Sequence, residues 1–124
     1  AGFWHADLQD AKAKLRAFDA ATGADLWTFE TPSQMLHGSA GLCSVPNEDS
    51  VPDTWSTAAI SNDGTVHAGW EGGKQYAVDS KTGKMISEHF VGWGDQGEPA
   101  IGDGFVVIPS IGKDGTFLVY LRGD

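Results

Sequence analysis

The sequence predicts an all-β fold of repeated antiparallel strands, and two pairs of matching segments carry that prediction. Segments 17–27 and 77–87 align without gaps and share the pattern Ala-x-Asp-x-x-Thr-Gly, followed three residues later by an apolar side chain. Segments 59–66 and 100–106 each combine a short apolar strand, an Asp-Gly turn and a β-rich strand. The members of this second pair are about 40 residues apart, a spacing that suits four-stranded blades of a β-propeller.

We therefore expect a single partial β-propeller domain over residues 1–124, with about two and a half four-stranded antiparallel blades. The blade pieces would be 1–30, 57–90 and 98–124, with a long loop insertion over 31–56. The expected strands are 2–6, 14–19, 24–30, 57–61, 65–70, 74–79, 84–90, 98–102, 105–110 and 116–121. Apolar residues across 8–18 also have a helical spacing, but the repeat requires a strand from Lys14. We expect at most a helical turn across 7–13.

The composition excludes several function classes. A formal net charge of −9 argues against nucleic acid and against an anionic membrane surface, because both need clustered Lys and Arg. No apolar run approaches the roughly 18 residues of a membrane span, so we expect no membrane insertion. The lone cysteine, Cys43, cannot form an internal disulfide. The absence of an initiator Met suggests a chain that is processed, trimmed or only partly represented.

The Asp-x-x-Thr-Gly segments have the chemistry of tight turns between strands. Asp and Thr side chains bond nearby backbone groups, and glycine accepts a positive φ. In the first copy an alanine at 17 and a tryptophan at 27 flank the turn. A buried tryptophan offers a flat ring and one N–H donor, and that donor needs an acceptor.

The eleven residues 17–27 resemble the tryptophan-docking motif of the quinoprotein (pyrroloquinoline quinone, PQQ) repeat family. The resemblance implies that Trp27 stacks between Ala17 and Gly83, with its indole N–H bonded to the carbonyl of Ser80. The second copy departs from the motif because Ser87 takes the tryptophan position. Docking of that blade onto the third would then rely on other apolar contacts. The residues expected to dock the blades are Ala17, Asp19, Thr22, Gly23, Trp27, Ala77, Asp79, Ser80, Thr82 and Gly83.

One face of the predicted domain collects the long loops. A loop of about 20 residues inside a compact domain is usually functional or disordered, so the insertion is the first candidate for a partner contact. Alternatively, the insertion is an ordinary surface loop without a partner. Tryptophans on this face either anchor a partner or fill gaps between blades, and we expect gap filling at Trp70. The candidate partner contacts are Met35, Leu36, His37, Trp55 and Trp93.

No metal or catalytic residue is assigned from the sequence. An oxygen-rich cluster in the long loop, made of Asn47, Glu48, Asp49 and Asp53, suits Ca²⁺ chemically, but its order matches no fixed calcium loop. His37 and Cys43 would need two further ligands to hold zinc. Cys43 has no identifiable histidine partner as a nucleophile.

These features favour a non-catalytic scaffold or recognition module, or a peripheral subunit of a larger assembly. Protein partners would cover the open blade edges, and we do not expect an isolated monomer. The repeat family includes such propellers, among them ones that help to assemble outer-membrane proteins. The resemblance also implies an alternative, a fragment of a PQQ-dependent dehydrogenase for alcohols or sugars, whose PQQ and Ca²⁺ would lie largely in missing blades. The adjacent cysteines typical of such enzymes are absent here. By the same resemblance we expect an extracytoplasmic location, periplasmic or lumenal.

Overall fold

The computed structural model describes residues 14–32, 55–70, 74–92, 97–112 and 115–123, and within these ranges every regular element is a β-strand. The described strands are β1 (Lys14–Phe18), β2 (Asp25–Glu30), β3 (Ala59–Ile60), β4 (Thr65–Trp70), β5 (Lys74–Asp79), β6 (Met85–Phe90), β7 (Ala100–Gly102), β8 (Phe105–Gly112) and β9 (Gly115–Arg122). The all-β prediction is confirmed for this part of the chain. The strand expected at 2–6, the helical turn expected within 7–13 and nearly all of the loop insertion lie outside the described residues.

The strands form three antiparallel sheets in which neighbours along the chain are neighbours in space. The first sheet is β1-β2, the second is β3-β4-β5-β6, and the third is β7-β8-β9. Three strands differ clearly from the prediction: β3 is shorter at two residues, and β8 and β9 extend until Gly112 pairs with Gly115.

The turn between β1 and β2 is held by the carboxylate of Asp19. Its Oδ1 accepts hydrogen bonds from the backbone N–H of Ala21 (3.1 Å) and from both the N–H and the hydroxyl of Thr22 (2.7 Å each). The Gly23 N–H donates to the Asp19 carbonyl at 2.8 Å, and Gly23 has a φ of +72°. This is the turn chemistry expected of Asp, Thr and Gly, and it brings the two strands back into register.

The turn between β5 and β6 repeats this arrangement atom for atom. Asp79 Oδ1 accepts from the Lys81 N–H (3.1 Å) and from the N–H and hydroxyl of Thr82 (2.7 Å each). Gly83 has a φ of +70°, and its N–H donates to the Asp79 carbonyl at 2.9 Å. Because the two segments share the same key residues, they fold into the same local structure.

The described core lies between the first and second sheets. Alternation along β4 and β5 places apolar side chains on one face of the second sheet, where Trp70, Tyr76 and Val78 are almost fully buried. Phe29 of β2 joins this cluster, and its ring centroid lies 5.3 Å from that of Tyr76. Leu15 and other partly buried side chains pack around it. The second sheet therefore has one apolar face, which is covered by the first sheet.

The aspartate turns predict a loss of stability in acid. Hydrogen bonds from Thr22 and Thr82 hold the pKa of Asp19 and Asp79 below the ordinary 3.8. A lowered folded-state pKa stabilises the fold fully above about pH 4 and loses that effect as the pH falls through the folded value. We expect the free energy of unfolding to drop below pH 3.8, measured by urea denaturation from pH 7 to pH 2.5. The double variant Asp19→Asn/Asp79→Asn should be less stable at pH 7 and should lose less in acid. An unchanged acid loss in that variant would contradict this origin.

Candidate functional site

The contact between the first and second sheets centres on Trp27. Its indole Nε1–H donates a hydrogen bond to the Ser80 carbonyl oxygen at 2.8 Å. The ring lies against Gly83, where an added Cβ would come within 2.7 Å of the ring atom Cδ2. Trp27 pairs across the first sheet with Ala17, whose small side chain leaves room beside the ring. The hydrogen bond and the glycine contact are those that the docking-motif resemblance implies.

The tryptophan at 55 packs onto the core of the second sheet. Trp55 forms an isolated antiparallel bridge with Trp70, and their ring centroids lie 6.4 Å apart. Its ring is also 5.9 Å from that of Tyr76. Trp70 fills the core, as expected, and Trp55 is partly buried against it. A role for Trp55 in partner contact stays a prediction, and the other four candidate contacts (Met35, Leu36, His37 and Trp93) lie outside the described residues.

The second sheet repeats the docking geometry on its other face but replaces the tryptophan. Ala77 pairs with Ser87 as Ala17 pairs with Trp27, and a β-bulge follows the alanine in both sheets. Ser87 therefore stands where a docking tryptophan would stand. A hydroxyl cannot reach across to a neighbouring sheet as an indole does.

The adjacent pair of positions differs in the same way. The first sheet presents Leu15 opposite Phe29, and both pack toward the apolar core. The second sheet has Gln75 opposite His89 at these positions. The sequence change therefore covers three of these four paired positions, and only the alanine is kept.

A cleft of about 260 Å³ lies between this polar surface and the third sheet. Its polar wall includes Gln75, Ser87 and His89 from the second sheet, while Phe105 and Leu121 line it from the third. The second sheet thus offers hydrogen-bonding groups to the cleft, and Leu121 offers hydrocarbon from the third sheet. We call this space the inter-sheet cleft.

Gln75 is the most unusual residue of the inter-sheet cleft. Its side chain is 2% exposed, and neither its amide nitrogen nor its amide oxygen has a hydrogen-bond partner among the described residues. Buried polar groups are normally paired, because an orphaned one costs about 1–3 kcal/mol. Both amide atoms are themselves buried, so the amide does not open onto the free space of the cleft.

Charges on the cleft lining are balanced. Burial lowers the pKa of His67, an effect that nearby Asp63 opposes. The Ser61 hydroxyl, followed by the Thr65 N–H, lowers the pKa of Asp63 and keeps that carboxylate ionised. Arg122 supplies the opposite charge on the same lining. The lining therefore includes the carboxylate of Asp63 and the guanidinium of Arg122.

Potential metal ligands were compared only among the described residues. No three Asp, Glu, His or Cys side chains lie close enough together there to hold a metal ion. The oxygen-rich loop cluster and the pair His37 and Cys43 fall outside those ranges. The same part of the chain includes no apolar helix long enough to cross a membrane.

Sequence reasoning identified the docking motif but missed the cleft. The sequence indicated the cleft at one position, since Ser87 replaces the tryptophan of the motif. Gln75 and His89 could have been added by applying the strand alternation to the same face. The orphaned state of the Gln75 amide depends on what the third sheet brings opposite, and no sequence pattern contains that information.

Comparisons with known proteins give a partial resemblance. No protein-family model matches the chain. Over 74 residues the chain is 34% identical to the dehydrogenase subunit of an alcohol dehydrogenase (quinone) of Gluconobacter oxydans (strain 621H), which covers 60% of this chain. The match spans only 9% of that relative's length. Among solved structures, the computationally designed Ika4 protein aligns at a TM-score of 0.46 and 18% identity, over 90% of this chain and 80% of that one.

Gly83→Ala and Gly23→Ala are a matched pair for the docking contact. Both glycines have a positive φ, so alanine adds about 1–2 kcal/mol of strain at either position. Only at Gly83 does the new Cβ meet the Trp27 ring, whereas nothing lies within 4 Å at Gly23. We expect Gly83→Ala to lower the free energy of unfolding by about 1–3 kcal/mol more than Gly23→Ala, measured by urea denaturation. Equal losses would show that the ring does not pack against Gly83.

Trp27→Phe separates the hydrogen bond from the ring contact. The variant keeps an aromatic ring but removes the donor to the Ser80 carbonyl. We expect the free energy of unfolding to fall by about 1–3 kcal/mol. Trp55→Phe is the control. It makes the same change from indole to phenyl at a partly buried tryptophan whose described contacts are with the rings of Trp70 and Tyr76. If the two variants lose the same stability, the indole N–H of Trp27 contributes nothing specific.

Proposed function

We propose that the three sheets are successive blades of a β-propeller and that the chain acts as a non-catalytic scaffold or recognition module in a larger assembly. The contact of Trp27 with Ser80 and Gly83 carries this proposal, because it joins one repeat to the next in the way that the PQQ-repeat resemblance implies. A propeller of two or three blades leaves its end sheets open. Other blades or other chains must then cover them.

Exposed apolar side chains on the far face of the third sheet support the proposal of a further blade or partner. Alternation along β9 turns Leu118 and Tyr120 away from the cleft, and they are 70% and 59% exposed. Phe105 stacks on Tyr120 with ring centroids 5.2 Å apart. Adjacent exposed apolar side chains are typical of surfaces that contact other proteins. A further blade or a partner protein is the proposed occupant.

The far face of the first sheet has a different character. It carries exposed ion pairs, with Lys14 Nζ 3.4 Å from Glu30 Oε2 and Arg16 Nη2 2.6 Å from Asp25 Oδ1. Exposed pairs of this kind add little stability but remain well solvated. Phe18 and Leu26 are also exposed on this sheet, at 50% and 61%, so both end sheets present apolar side chains to a further blade or partner.

The second candidate function is part of a PQQ-dependent dehydrogenase, and the 34% identity to a quinone-dependent alcohol dehydrogenase subunit favours it. The described residues alone do not fit a calcium site of the kind that such enzymes use, since no cluster of three acidic or histidine ligands lies among them. We therefore derive no catalytic step through PQQ. In this alternative the quinone would bind mainly to other blades. Both candidates share the proposed extracytoplasmic location, which rests on the same resemblance.

Native mass spectrometry of the protein from its source tests the scaffold proposal. We expect a polypeptide or complex larger than the 13.1 kDa of this chain. Leu118→Glu/Tyr120→Glu should weaken that assembly, because charge cannot be buried in an apolar contact, whereas Ala20→Glu in an exposed turn should leave it intact. A stable 13.1 kDa monomer would overturn the proposal. Reduction of a dye by the intact protein after addition of PQQ, Ca²⁺ and an alcohol would establish the dehydrogenase instead.

A further inference from the structure

The outer strand of the second sheet, β6, pairs with another described strand on one side only. It stands at the end of the order β3-β4-β5-β6 and its partner there is β5. In an antiparallel pair about half of the backbone N–H and C=O groups of a strand point away from the partner. We call the side of β6 that carries these outward groups the β6 edge. An edge of this kind is a template for another extended chain.

The matching edge of the first sheet is protected by charge. β2 has the same outer position in its sheet, and the strand registers align Glu30 of β2 with Phe90 of β6. The registers likewise align Asp25 with Met85. Both carboxylates of β2 are held in ion pairs with β1. Charged side chains on an edge strand oppose pairing with a further strand, and β6 has apolar side chains at both positions.

Apolar side chains of β6 are exposed beside this edge. Ile86 is 58% exposed and Phe90 is 69% exposed. Alternation along the strand places them on the same face, with Glu88 between them. Both outer strands have a β-bulge near their start, so the bulge does not distinguish β6 from β2. After the bulge the ladder of β6 runs regularly from Ser87 to Phe90, which leaves a regular stretch for a further strand.

Glu88 determines the charge that suits a matching strand. Lys74 Nζ donates a hydrogen bond to its Oε1 at 3.1 Å, a contact that uses one of the two carboxylate oxygens. Opposite charges directly across neighbouring strands stabilise a sheet, and like charges destabilise it. A second copy of β6 aligned about Glu88 would place two carboxylates opposite each other, and each chain has a net charge of −9. A strand with a basic residue at this position is therefore favoured over a second copy.

We propose that the β6 edge binds an extended segment of a partner protein, which adds a strand to the second sheet and carries Lys or Arg between two apolar residues at alternate positions. The backbone of the segment bonds the edge, as in other cases of strand addition. Its apolar side chains cover Ile86 and Phe90, and its basic side chain faces Glu88. Because β6 belongs to the middle sheet, this binding does not depend on the covering of the end sheets or on the proposed scaffold role.

The probe for the β6 edge is the end-blocked peptide Thr-Val-Thr-Lys-Thr-Val-Thr, which presents Val, Lys and Val on one face of a strand. Titration into the ¹⁵N-labelled full chain should give saturable amide shifts along residues 85–90. Hydrogen exchange should slow at alternate residues of this range, because only the N–H groups that point to the edge gain a partner. The peptide with Glu in place of Lys should bind several-fold more weakly.

Three variants locate the site within the chain. Phe90→Glu places at 90 the residue type found at the corresponding Glu30, and it should weaken binding of the Lys peptide about tenfold. The fold should remain intact because Phe90 is exposed, and urea denaturation checks this. Leu26→Glu makes the same charge change at an exposed apolar residue of β2 and should bind as the parent does. Glu88→Lys should reverse the preference between the Lys and Glu peptides.

Each of the opposite results contradicts the proposal. Absence of saturable shifts along 85–90, or equal affinity for the two peptides in the parent chain, would show that the β6 edge does not select such a strand. Equal weakening by Phe90→Glu and Leu26→Glu would show that only overall charge matters. Slow exchange of the outward amides before any peptide is added would show that the edge is already covered. Another segment of the same chain covers it if that protection is independent of concentration, and a second copy covers it if the protection increases with concentration.

Discussion

The described structure depends on one contact, the indole of Trp27 against the next repeat. Its N–H bonds the Ser80 carbonyl and its ring covers Gly83, so a single side chain ties the first sheet to a turn of the second. The contact requires the turn to be rigid. Asp79 and Thr82 provide that rigidity, since their hydrogen bonds fix the backbone that presents both the carbonyl and the glycine. The hydrogen bonds that form the turn therefore also position the groups that contact Trp27.

This contact also explains where the core lies. With Trp27 in place, Phe29 of the same strand reaches Tyr76, and the apolar face of the second sheet is covered. Residues two apart on a strand share a face, so anchoring one of them aligns the other. The hydrophobic cluster is continuous from β2 to β5 because the hydrogen bond at its end sets the position of the two sheets.

The second interface shows the consequence of losing this anchor. Ser87 leaves an open cleft, and Gln75 and His89 occupy positions that are apolar in the first sheet. A buried amide without a partner opposes folding, so a purely structural interface has no use for it. The two interfaces of the same chain therefore differ, because one is closed by tryptophan and the other leaves an open cleft with a polar wall.

The sequence by itself determined the strands, the turns and the position of the docking tryptophan. These features are local or repeated: an Asp-x-x-Thr-Gly segment makes the same hydrogen bonds wherever it occurs, and alternation assigns each side chain to a face. The extension of β8 and β9 to Gly112 and Gly115 was missed because glycines there indicate a loop as readily as a hairpin end. Only the tertiary structure decided that the Gln75 amide is buried without a hydrogen-bond partner among the described residues and that a cleft remains beside Ser87. Those facts depend on the distance between two sheets, which is fixed by packing between residues far apart in the chain.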